Sequence, residues 1–195
     1  MALMSAKHNK KPATKEQVME KKYVFGDVMI GKEELKERVA ELGKEISRDY
    51  KGESILAICV LKGAVIFMSD LIRELNVETK IDFMAVSSYG ASTESTGVVR
   101  ILKDLDSDIE GENVIIIEDI IDSGLTLKYL KGYLMARNPK SLKICTLLDK
   151  PERRVADVKP DYVGFSIENK FIVGYGLDYN QMYRNLPYIS YLEGE

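Results

Sequence analysis

The sequence predicts an α/β fold in which a mainly parallel, twisted sheet is flanked by helices, and three observations carry that prediction. Short apolar, β-branched runs alternate with stretches of helical periodicity along most of the chain, the pattern of strand-helix-strand units. Several of those runs, such as SILAICVL and VIII, have no polar face, as strands covered by helices on both sides require. A chain of 195 residues buries roughly 70% of its unfolded surface, so a core holds it without disulfides or a structural metal.

The first 22 residues are polar and read as a flexible leader, and residues 23–195 read as one domain. Glu33 to Tyr50 is predicted as a surface helix, because Leu35, Val39, Leu42 and Ile46 recur at three- and four-residue steps between charged positions. Ser54 to Leu61 is a buried strand by length and composition, followed by a Lys62-Gly63 break and a helix from Ala64 to about Leu75. A second strand spans Lys80 to Ser87. It runs into SYGASTESTG, whose density of Ser, Thr and Gly marks an exposed, mobile loop before VVRIL resumes an extended pattern.

Val114 to Ile117 forms a strand ending at Glu118-Asp119, and a helix follows from Leu125 to about Arg137, stopped by Asn138-Pro139. Two more strands fall near Leu142 to Leu148 and at Tyr162 to Ser166. From Phe171 the chain turns aromatic-rich and glycine-punctuated, with no long helix, as a small appended hood contributed by residues 168–189 would be.

Composition narrows the function. With 28 Lys and Arg against 31 Asp and Glu, the net charge of -3 argues against a dedicated nucleic-acid binder. Cys59 and Cys145 lie in separate apolar runs with no partner at metal-ligand spacing, so both read as buried, reduced thiols of a cytoplasmic protein. The leader has no signal-peptide pattern, and no apolar run approaches the roughly 20 residues that span a bilayer. The one histidine, His8, sits in the leader, which nearly excludes chemistry built on imidazole.

The chemistry is expected where polar residues follow a parallel strand. In VIIIEDIIDSGLT, residues Asp122, Ser123, Gly124 and Thr126 stand at a helix entrance, where free backbone N–H groups and short hydroxyls surround a phosphate. The spacing is not that of a nucleoside-triphosphate loop. An ordinary capped turn would account for Asp-Ser-Gly alone. It does not account for Glu118-Asp119, two carboxylates whose burial is costly unless hydroxyls, cations or water meet them. Vicinal ribose hydroxyls suit them.

These thirteen residues resemble the phosphoribosyl-pyrophosphate motif of the type I phosphoribosyltransferases. LKGAVIF, SSYGASTESTG, LLDKPERR and NKFIVGYGLDYNQMYRNLP resemble the hypoxanthine-guanine branch of that family in order and spacing, so the resemblance runs from about Tyr23 to Ile189. It implies a magnesium-dependent transferase of purine salvage. Phosphoribosyl pyrophosphate and a 6-oxopurine would be its substrates, and it would assemble as a homodimer or homotetramer.

By the same resemblance, Glu118 and Asp119 would hold the ribose hydroxyls with Mg²⁺ nearby, and Asp122 would face N7 of the base as general acid or base. Ser123, Gly124, Leu125 and Thr126 would bind the 5-phosphate. Lys62 and Gly63 would contact pyrophosphate, at a turn that often carries a cis peptide in the family. Lys170 would donate to the 6-oxo group, Phe171 would stack on the ring and the Ile172 main chain would read its edge, with Lys150 in support. Asp178 would join the metal-pyrophosphate ligands, Arg184 would bind the leaving group, and Ser88 and Tyr89 would close over it.

The chain departs from the family at Glu168-Asn169, where Pro-Asp is common, and at Gly176, where Ala is frequent. Choice among hypoxanthine, guanine and xanthine stays open at this point. So do two other readings: a nucleic-acid-binding regulator on the same fold, which a gel shift tests, and an enzyme for another base, against which a lysine donor at the 6-position argues.

Overall fold

The computed structural model describes residues 24–88 and 99–193. The polar leader with His8, the Ser/Thr-rich loop and Tyr89 lie outside the described residues. Strand β1 (Val24–Ile30) precedes α1 (Lys32–Asp49), β2 (Ile55–Leu61), α2 (Val65–Glu74), β3 (Thr79–Ser88) and β4 (Val99–Lys103). Then come β5 (Asn113–Ile121), α3 (Leu125–Met135), β6 (Ser141–Asp149), β7 (Tyr162–Ser166), β8 (Ile172–Val173) and β9 (Ile189–Glu193).

Six strands form the main sheet in the order β4-β3-β2-β5-β6-β7. Every pair is parallel except the edge pair β3-β4. The alternation of side chains across β2 and β5 builds two cores, because successive residues of a strand point to opposite faces. Ala57, Cys59, Ile115 and Ile117 pack with Leu35, Val39, Leu42 and Ile46 of α1 and Phe67 and Leu71 of α2. Leu56, Ile58, Val60, Val114 and Ile116 pack with Leu127, Leu130 and Leu134 of α3. The predicted stripe on α1 is thus the buried stripe. Both cysteines are buried and free, and burial pushes the Cys59 thiol up to about 12. Among the described residues no helix is long and apolar enough to cross a membrane.

Two features depart from the sequence expectation. First, β5 does not stop before Glu118: it runs to Ile121, because β6 pairs with it as far as Ile121↔Asp149. Second, β1, β8 and β9 form a separate three-stranded antiparallel sheet, in the order β1-β9-β8, which the sequence reading did not include. Strand β1 is irregular, with register shifts around Val28, so its alternation is broken; its partner β9 lies at the far end of the chain. The Ser190 hydroxyl ties the two by donating to the carbonyls of Gly26 and Asp27.

Candidate functional site

Polar residues gather at the carboxyl ends of β2, β5 and β6, where strands leave the sheet and backbone groups are freed from the ladder. Glu118, Ile120, Asp122, Ser123, Gly124 and Thr126 line a cavity of about 100 Å³ at the mouth of α3. The turn into α3 has tight sterics. Gly124 adopts φ +79, and a Cβ there would sit 2.7 Å from Val158 and 2.8 Å from the Arg154 side chain. The Ser123 carbonyl accepts from the Val155 and Ala156 amides at 2.9 and 3.0 Å, and its hydroxyl accepts from the Leu125 amide at 3.4 Å. The amides of Thr126 and Leu127, in the first helical turn, have no helical acceptor and are available to an anion.

Glu118 and Asp119 diverge. Glu118 opens into the cavity, with Oε2 sequestered from solvent and unpartnered. Burial pushes its carboxyl well above the usual range, and the neighbouring Asp119 adds to the shift. Asp119 turns toward the β2-α2 junction, where a Cβ at Gly63 would lie 1.5 Å from its Oδ2. Burial raises the Asp119 carboxyl to about 6, while its Oδ1 accepts from the Ile120 amide at 2.8 Å. Arg184 pulls it down and Asp178 pushes it up, so these groups share one electrostatic site.

That second cluster lies where the small sheet's connecting segment crosses the end of the main sheet. Arg184 pairs with Asp178 at 2.6 Å and donates to the Gly176 carbonyl at 2.7 Å. Gly176, one of the noted departures, adopts φ +104, and a Cβ there would sit 2.1 Å from the Gly63 carbonyl. Lys62 donates to Gln181 at 3.3 Å, and the Gln181 amide donates to Asp178 at 2.8 Å. The peptide bond at this turn that is cis is Leu61-Lys62, one bond before the Lys62-Gly63 link, whose isomer the sequence left open.

On the α3 side, Asp122 is half-exposed and its Oδ1 accepts from Arg153 Nε at 2.6 Å. Arg153 ends a short 3₁₀ turn (Pro151–Arg153) that follows Lys150. Lys150 is 7% exposed, and its Nζ donates to the Lys170 carbonyl at 2.6 Å. Desolvation lowers its pKa, Asp122 opposes that shift and Arg153 reinforces it, which puts all three in one field. Lys170 behaves differently. Its ammonium lies over the Tyr191 ring at 4.4 Å and 3.7 Å from Glu168, the other noted departure. Phe171 is 52% exposed and meets Tyr179 edge-on at 5.7 Å, while Ile172 is buried in β8. Ser88 ends β3, paired with Val99.

Asp122, the Ser123–Thr126 turn, Glu118 and Lys150 therefore form one group, and Lys62, Gly63, Asp119, Asp178 and Arg184 another. The Lys170 side chain joins neither through any contact described. Sequence reasoning did not single out Arg153, Arg154, Gln181 or Tyr191; the PERR tetrapeptide was the available signal for the first two. Among the described residues no three His, Cys, Asp or Glu side chains form a metal cage. The donors are nonetheless carboxylate oxygens, one of them orphaned, and Mg²⁺ is held by one or two carboxylates, waters and substrate oxygens rather than by a full protein cage. The residues fit that ion.

Residues 30–180 match the phosphoribosyl transferase domain family. The chain is 55% identical over 172 residues to the hypoxanthine-guanine phosphoribosyltransferase of Mycobacterium tuberculosis, covering 85% of each protein. It is 54% identical to the Bacillus subtilis protein of the same name, covering 88% of this chain and 96% of the relative. A hypoxanthine phosphoribosyltransferase crystal structure from Staphylococcus aureus superposes with a TM-score of 0.84 at 49% identity, over 87% of this chain and 92% of the other.

Proposed function

The chain belongs to the phosphoribosyl transferase family, and we infer that it moves the 5-phosphoribosyl group from 5-phosphoribosyl 1-pyrophosphate to hypoxanthine or guanine. IMP or GMP and pyrophosphate are the products, and the role is purine salvage. The observation that carries this reading is the division of polar residues about β5: a phosphate-sized mouth with Asp122 on one side, and Lys62 with the Arg184-Asp178 pair on the other. A substrate with a monophosphate at one end and a diphosphate at the other needs both.

In this reading the Ser123–Thr126 turn binds the 5-phosphate through backbone amides and hydroxyls. Glu118 and Asp119 accept from the ribose hydroxyls, which offsets the desolvation that raises both carboxyls. Glu118, Asp119 and Asp178 are the candidate ligands for Mg²⁺, Asp178 acting electrostatically on Asp119 alone of the other two, and the ion when bound would neutralise charge on the leaving group. Lys62 and Arg184 do the same from the protein, as pyrophosphate departs and the anomeric carbon becomes cationic. Asp122 takes up or returns the base proton at N7. Phe171 supplies an exposed ring face and Ile172 a main-chain edge for the purine. Ser88 and Tyr89 would exclude water by closing over the site.

Lys150, rather than Lys170, is the better donor to the 6-oxo group. It is desolvated, electrically coupled to Asp122 and held by the Lys170 carbonyl, whereas the Lys170 ammonium is occupied by Tyr191 and Glu168. Residues 168–189 act as a small hood over the base. The enzyme works in the cytoplasm and self-associates as a dimer or tetramer, for which the exposed Val65 and Ile66 on α2 offer apolar surface. The test is a spectrophotometric assay of each purine with phosphoribosyl pyrophosphate, with and without Mg²⁺, alongside sizing chromatography. Mg²⁺-dependent consumption of hypoxanthine or guanine is expected; consumption of no purine rejects the reading.

A further inference from the structure

We infer that Arg153 is a positioning residue for Asp122, fixing which carboxylate oxygen is presented to the purine. This inference rests on the phosphoribosyl-transfer reading above.

The segment from Lys150 to Ala156 grips the chain around Asp122 at several points. The Lys150 amide donates to the Ile121 carbonyl at 2.9 Å, Arg154 Nε donates to the Asp122 carbonyl at 3.2 Å, and the Val155 and Ala156 amides donate to the Ser123 carbonyl. Arg154 is itself anchored by Asp149 and by the Val158 carbonyl at 2.6 Å. These bonds fix the main chain at Asp122. They leave its side-chain torsions to be decided by Arg153, whose Nε meets Oδ1 at 2.6 Å.

With Oδ1 occupied, Oδ2 is the atom left for a proton at N7. The Arg153 and Asp122 side chains are 45% and 44% exposed, so the pair contributes little to stability and its effect is on geometry. Arg153 also adds positive charge near Lys150 and so reinforces the lowering of its pKa. The 3₁₀ turn sets this arrangement, since the Arg153 amide donates to the Lys150 carbonyl at 3.1 Å and fixes the backbone that carries both residues.

The experiment compares wild type, Arg153→Gln and Arg153→Lys. For each, kcat and KM are measured with hypoxanthine, and Ki is measured for 7-deazahypoxanthine, which has carbon in place of N7. In Arg153→Gln, kcat with hypoxanthine should fall roughly two- to fivefold, the range of a lost exposed charge pair. The KM for phosphoribosyl pyrophosphate should not change, the Ki of the deaza compound should not change, and Arg153→Lys should recover part of kcat. Unchanged or faster turnover in Arg153→Gln overturns the inference, as does an equal weakening of the deaza compound, which would mark a merely structural role. Wild type inactive with every purine would instead sink the underlying reading, so the two failures are distinct.

Discussion

A lysine that is 7% exposed must lose its proton or find an acceptor, and Lys150 finds one in the Lys170 carbonyl. Lys150→Gln should therefore lower kcat/KM for 6-oxopurines by roughly 10- to 100-fold, since a buried charge-assisted hydrogen bond is worth about 1.5–3 kcal/mol. Lys170→Met, losing an exposed ring contact, should change it less than about fivefold; steady-state kinetics on both variants decides. Asp122→Asn should keep substrate binding, read by calorimetry, and lose turnover by roughly 10²- to 10⁴-fold. Asp119 gives a stability test. Its carboxyl is raised from 3.8 to about 6 in the fold, so the folded state binds that proton more tightly. The contribution is complete below the unfolded value and is lost as pH rises through about 6. In the ligand-free protein at pH 7.5, Asp119→Asn should gain roughly 1–3 kcal/mol, a gain that shrinks toward pH 4, read by urea unfolding. Sequence singled out Glu118 and Asp119 because two adjacent carboxylates following a β-branched run are costly to bury without partners, whereas Asp122 alone reads equally well as a helix cap. It did not separate the two lysines, because the direction of a side chain depends on partners such as Tyr191 that are distant in sequence.

At the scale of elements, the parallel strands and three helices were readable because each carries its own period and its own breakers. The β1-β9 pairing was not. Its strands are short or bulged, and the hydrogen bonds that define them join opposite ends of the sequence. The β2-α2 turn shows how tightly elements meet at the site. Gly63 leaves room for Asp119 Oδ2 on one side, and its carbonyl is crossed by Gly176 on the other. Gly63→Ala should displace the carboxylate and reduce turnover by roughly 10²-fold, the scale of a 1 Å misplacement, with the far-ultraviolet circular dichroism unchanged.

For the whole molecule, one sheet separates two cores, and the site occupies the single end where strands, α3 and the smaller sheet converge. In the proposed reading, substrate touches segments from both sheets at once, the Ser123–Thr126 turn after β5 and Phe171–Ile172 at β8. Cys59 and Cys145 sit on central strands of that shared sheet, each 0% exposed. A thiol-reactive dye should consequently leave the native protein unlabelled and mark it only when the sheet parts. The labelling rate in trace denaturant then becomes a built-in clock for global opening, and addition of substrates should slow that clock.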